Sequence, residues 1–161
     1  MKYEVFLIPQ TSSMSCWAAC IAMILGWKKK MSIPDTEIAR NPGGKSYMTS
    51  YAKGLDPNDR NILHRNGFAV DEPMCYTPAA IDRLLKDKGP LWVATWAPGP
   101  HIRVITGMVG NTLYINDPAP VGVGSAYTRT FMKFFGAMED LGGRELKEAS
   151  PVYLAYLASQ V

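Results

Sequence analysis

Histidine and cysteine are both scarce in this chain. Among 161 residues there are two histidines, His64 and His101, and three cysteines, Cys16, Cys20 and Cys75. An odd, small number of cysteines argues against a disulfide framework. Cys16 and Cys20 stand one helical turn apart, a poor geometry for a bridge. No CxxC or paired Cys/His spacing occurs, so neither a metal site nor a cofactor is expected. No apolar run approaches the length of a membrane span, and the opening MKYEVFLIPQ is too short and too broken for a cleavable secretory signal. A membrane partner is therefore not expected. The net charge of +3 is modest, and the only dense basic run is Lys28-Lys29-Lys30. It follows an apolar segment, where it reads as a solvated helix end that complements the helix dipole. It lacks the interleaved aromatics of a nucleic-acid groove, so no nucleic-acid partner is expected. There is no internal repeat and no linker.

What is present is a globular composition, 47% hydrophobic and 19% charged, over a length that suggests one domain, residues 1–161. Residues 3–8 read as a short strand. Ser15 to Trp27 is apolar almost all round, which suits a buried central helix. Ser32 to Arg40 reads as a second helix, with Ser32 and Asp35 as a capping pair. Pro57 to Asn66 reads as a short helix closed by Gly67. Thr77 to Lys88 has an N-cap threonine, Pro78 at its first position and Gly89 after its end. The character then changes. Leu91–Trp96, Ile102–Val109 and Thr112–Asn116 are strand-like, and Gly110-Asn111 is a two-residue hairpin turn. Residues 119–126 read as a loop, Thr128–Met138 as strand or helix, and Val152–Ala158 as a closing strand. The expected class is α+β, with a helical lobe over about 10–90 and an antiparallel β lobe over about 91–161.

One stretch stands out: QTSSMSCWAACIAM, Gln10 to Met23. A thiolate, not a thiol, attacks carbonyls. Free cysteine titrates near about 8.5, and a helix N-terminus with an adjacent imidazolium lowers that by several units. Cys16 stands where the helix should begin, after a polar and turn-like approach, so it reads as a nucleophile. Cys20, one turn deeper, reads as core. Acyl transfer needs one imidazole. His101 follows Pro98-Gly99-Pro100 and opens an apolar strand, whereas His64 lies beside Arg65 and Asn66 and reads as a surface residue. The hairpin returns from His101 to Asn116-Asp117-Pro118, so either Asp117 or Asn116 would lie near the imidazole. An Asp-Pro turn is the commoner meaning of such a pair; in this context Asp117 is favoured as the orienting carboxylate. A developing oxyanion needs donors, which the Cys16 backbone N–H and the Gln10 side-chain amide can supply. Trp17, Trp96 and the loop containing Gly99 flank this centre and are candidate substrate-binding residues, although core packing is the more usual role of tryptophan. The nine methionines read as flexible core filler.

Gln10, the run Ser15-Cys16-Trp17-Ala18-Ala19, His101 and Asp117 stand in the order and approximate spacing of the papain-like cysteine proteases, which the chain resembles. The resemblance implies a papain-like fold with a central nucleophile helix, a Cys16–His101–Asp117 triad and a protein or peptide substrate. Papain-type enzymes are longer, disulfide-linked and carry a propeptide, and their orienting residue is usually an asparagine before Ser-Trp. Asn116-Asp117-Pro118 looks more like the small bacterial branches: avirulence-type proteases injected into host cells, staphopain-like enzymes and the peptidase domains of bacteriocin exporters. The avirulence-type branch is the best match. It implies an effector made in the bacterial cytoplasm without a cleavable signal and delivered by a specialised secretion system into a target cell. Related domains act as toxins beside a cognate immunity protein, and the positive net charge suits an acidic inhibitor. The same residues would also serve an amidase, a deamidase or a bacteriocin leader peptidase, and a non-catalytic binding module is the least favoured reading.

Overall fold

In the computed structural model the described residues are 1–40, 53–55, 60–72, 74–95, 100–136 and 153–158. Helix α1, Cys16–Lys29, forms from a run of helix-tolerant apolar residues, and Trp17 to Ile24 are all buried. It ends at Lys30, which takes a left-handed conformation (φ 56°) while its N–H donates to the carbonyls of Gly26 and Trp27. Lys28 and Lys29 occupy the last turn, where their charges favour the dipole.

Helix α2, Asp35–Arg40, begins three residues later than the expected capping pair placed it. Ser32 is exposed and caps nothing; the Asp35 carboxylate turns inward to residues of the chain before α1. Helix α3 covers Asn61–Arg65, and the earlier part of its expected range, 57–59, lies outside the described residues. Helix α4, Pro78–Lys88, starts as expected: the Thr77 hydroxyl accepts from the Ala80 N–H at 3.2 Å.

Among the described residues six strands form one antiparallel sheet: β1 Phe68–Val70, β2 Leu91–Thr95, β3 His101–Val109, β4 Thr112–Asp117, β5 Ser125–Thr130 and β6 Tyr153–Leu157. Their spatial order is β1-β6-β2-β3-β4-β5, so the closing strand is inserted between β1 and β2. With the helices this is an α+β fold. Alternation along β2 feeds two cores. Trp92 and Ala94 pack with α1, whereas Leu91 and Val93 pack with Ile81 and Leu85 of α4 and with Phe134 and Phe135.

Two local expectations are corrected. Residues 3–8 form no strand; the N-terminus makes a single bridge, Lys2 to Gly107. Gly107 is needed there, because a Cβ would sit 2.5 Å from the Met1 carbonyl oxygen. Strand β5 begins inside the segment read as a loop, and the chain then makes a π-helical turn, Met132–Gly136. Strand β1 lacked a sequence signal, being only three residues long.

Candidate active site

The site forms where α1 and β3 both begin. Ser15 occupies the N-cap position of α1 but makes no side-chain cap. Its hydroxyl instead donates to Asp35 Oδ2 at 2.9 Å. The same carboxylate accepts from the Thr11 N–H at 2.8 Å and from the Thr11 hydroxyl at 3.0 Å. Asp35 is fully buried, so it ties the turn that leads into Cys16 to the start of α2. Cys16 itself is half-buried. Cys20 is fully buried with its Sγ 3.4 Å from the Ile102 carbonyl, as its reading as core required.

His101 Nε2 lies 2.6 Å from Asp117 Oδ1, and the Cys16 side chain at the start of α1 acts on the same ring. Burial alone would lower the His101 pKa. The hydrogen bonds to Asp117 and Cys16, together with the Asp117 charge, outweigh burial and the opposing Arg103 charge and raise it to about 9. The ring is therefore an imidazolium at neutral pH. Burial likewise pushes Asp117 up, but its bonds to His101 and to the Ala119 N–H, with the charges of His101 and Arg103, bring it down to about 2.

A β-bulge decides which residue faces His101. Near the hairpin turn Val109 pairs with Thr112 and Gly107 with Tyr114. An unbroken ladder would then set Ile105 opposite Asn116 and Val104 opposite Asp117. The register shifts between Ile105 and Gly107, so that Ile105 pairs with Ile115 and Val104 with Asn116. Asp117 thereby falls opposite Arg103, on the face that also carries His101, two residues away. Asn116 is turned to the other face, where its Nδ2 donates to the Val5 carbonyl at 3.2 Å. The alternative between Asn116 and Asp117 is resolved in geometry by the extra residue, Thr106.

Sequence reasoning did not find the second half of this cluster. Asp117 Oδ2 accepts from Arg103 Nε at 2.8 Å and from the Tyr127 hydroxyl at 3.2 Å. Arg103 Nη1 donates onward to Thr95 Oγ1 at 2.9 Å, and the Thr95 hydroxyl donates to the His101 carbonyl at 3.1 Å. The i, i+2 spacing of His101 and Arg103 on a strand was the available signal.

Gln10 is buried against the turn before Cys16. Its Nε2 donates to the Ser12 carbonyl at 2.9 Å, and its Oε1 has no hydrogen-bond partner among the described residues. Its backbone is clasped by the loop after β4: the Gln10 N–H donates to Pro118, and the Gly122 N–H donates to the Gln10 carbonyl, each at 2.9 Å. Trp17 is fully buried in the core around α1, which corrects the expectation that it binds substrate. Trp96 and Gly99 lie outside the described residues. His64 is exposed. A cavity of about 140 Å³ opens between Cys16 and His101 and is walled by Met14, Leu55, Ala94 and Tyr153.

A family model described as the papain-like cysteine protease AvrRpt2 matches residues 1–137. The chain belongs to this family. It is a papain-like cysteine peptidase. No curated protein matches the chain significantly. Among solved structures, a double-glycine-motif protease from an AMS/PCAT transporter, captured with a leader peptide, is similar over 95% of this chain and 91% of that one, with 22% identity and a TM-score of 0.57. The peptidase domain of Streptococcus ComA, a bifunctional ABC transporter, is similar over 96% and 98%, with 15% identity and a TM-score of 0.50. Both likenesses concern the fold, and they agree with a papain-like α+β architecture.

Proposed function

We propose that this peptidase is an endopeptidase in which Cys16 is the nucleophile, His101 the proton carrier and Asp117 the orienting carboxylate. The observation that carries this reading is the placement of His101 between Cys16 and Asp117 beside an open cavity. The Cys16 sulfur adds to the scissile carbonyl, and the Cys16 backbone N–H with the Gln10 amide stabilises the oxyanion. The tetrahedral adduct collapses as the C–N bond breaks, and His101 gives its proton to the leaving amine. The neutral imidazole then takes a proton from water, which hydrolyses the thioester and frees the sulfur.

The substrate is a peptide or protein segment. The apolar wall of Met14, Leu55 and Tyr153 suits an extended chain with an apolar side chain near the scissile bond. The leader peptide bound by the AMS/PCAT transporter protease supports a peptide ligand for this fold. The resemblance to avirulence-type proteases motivates the further reading of an effector that acts inside another cell. The test is peptide cleavage by the wild type and by Cys16→Ala, with products identified by mass spectrometry and the fold checked by circular dichroism. New protein termini that require Cys16 are expected. Undiminished cleavage by a folded Cys16→Ala protein ends this reading.

A further inference from the structure

Asp117 is held by four donors, and only one of them is the imidazole. Oδ1 accepts from His101 Nε2 and from the Ala119 N–H at 2.9 Å, while Oδ2 accepts from Arg103 Nε and the Tyr127 hydroxyl. The Arg103 side chain is 13% exposed and that of Asp117 9%, so this ion pair is poorly screened. A bare carboxylate here would hold the imidazolium with a full unit charge. A guanidinium bonded to the far oxygen leaves the pair near neutrality while its near oxygen still accepts from Nε2. That is the electrostatic equivalent of a neutral amide oxygen in the same position.

We propose that Arg103 is a positioning residue that fixes the Asp117 carboxylate and cancels its charge, so that His101 faces a neutral acceptor pair rather than an anion. This rests on the triad reading above. Arg103 also ties the pair to the strand that carries His101: its Nη1 is bonded to Thr95, whose hydroxyl is bonded to the His101 carbonyl. The groups around His101 are Cys16 and, behind it, Cys20 on α1, Arg103 on its own strand, Asp117 on β4 and Tyr127 on β5, with Lys53 at the cavity wall. Arg103 is the one cation among them that bonds the orienting carboxylate. Its charge opposes protonation of His101, whereas Asp117 favours it. Charge cancellation matters because the proton must leave the ring for the departing amine, and an imidazolium held too firmly is a poor acid.

The test is the pH profile of kcat/KM for the wild type and four variants. Arg103→Met is expected to lower kcat about tenfold and to move the alkaline limb upward by about half a pH unit or more. Arg103→Gln, which keeps an N–H for Oδ2 but no charge, carries the same upward shift and decides the matter if the methionine variant does not fold. Arg103→Lys restores the position of the limb with a partial rate. The double variant Arg103→Met, Asp117→Asn is neutral again, so its limb returns toward that of the wild type and its kcat exceeds that of Arg103→Met. An unmoved limb in the neutral variants, or a second loss in the double variant, reduces Arg103 to a scaffold and overturns the proposal. Loss of Cys16-dependent cleavage in the wild type would strike the triad reading instead, so the two failures are distinguishable.

Discussion

His101 Nε2 and Asp117 Oδ1 stand 2.6 Å apart on a diagonal across two hydrogen-bonded strands, and one inserted residue, Thr106, sets that diagonal. A strand slip of one residue moves every side chain to the opposite face. The identity of the residue facing the imidazole is therefore a matter of register and not of proximity along the chain.

Deleting Thr106 should close the bulge while leaving Ile105 opposite Ile115 and Arg103 opposite Asp117, so that Asp117 stays on the His101 face. Activity of that variant is expected to fall further on Asp117→Ala and to change little on Asn116→Ala, as in the full-length chain. Assays of the deletion variant and its two alanine derivatives for peptide cleavage check this. A deletion variant sensitive to Asn116→Ala and not to Asp117→Ala would contradict this register.

Folding stability should depend on pH through the His101–Asp117 pair. The folded pKa of His101 is raised to about 9, above its ordinary value near 6.5. Its contribution is complete below that ordinary value and is lost as pH rises through about 9. Asp117 is lowered to about 2, so its contribution is present above the ordinary carboxylate range and is lost as pH falls toward about 2. Thermal unfolding from pH 6 to 10 should show a decline in Tm that His101→Ala largely removes. An equal decline in that variant would assign the effect to other groups.

Asp35 should matter for both stability and rate. Removing its carboxylate leaves the Thr11 N–H and the Thr11 and Ser15 hydroxyls without this acceptor just before the nucleophile. Asp35→Ala is expected to cost about 2 kcal/mol, the order expected for losing buried hydrogen bonds to a charged acceptor. Urea denaturation measures it. Asp35→Asn, which keeps an acceptor for Thr11, should lose less, and kcat should fall in the same order.

Much of the fold was legible because its signals are local. The apolar run of α1, the Thr77 cap, the Gly110-Asn111 turn and the β-branched strands each act within a few residues. The juxtaposition of Cys16, His101 and Asp117 was legible for a related reason: a helix start, a strand start and a hairpin return place them near one rim. Arg103, Tyr127 and Asp35 were not found, because their roles depend on register and on contacts between distant segments. Ser32 misled because a capping box is read from residue types, whereas Asp35 here serves the turn before α1. Strand β1 is too short for periodicity to reveal, and residues 3–8 have strand-like composition but only a bridge at Lys2 to pair with.

The most direct measurement is the rate of iodoacetamide alkylation of Cys16 across pH, in the wild type and in His101→Ala, followed by peptide mass spectrometry. Cys75 is exposed and serves as an internal reference, and Cys20 is buried. Cys16 is expected to outpace Cys75 near neutral pH, to change in reactivity as His101 loses its proton around pH 9, and to lose both features in His101→Ala. A Cys16 that reacts no faster than Cys75 near neutral pH, with or without His101, would contradict the activated pair on which the mechanism rests.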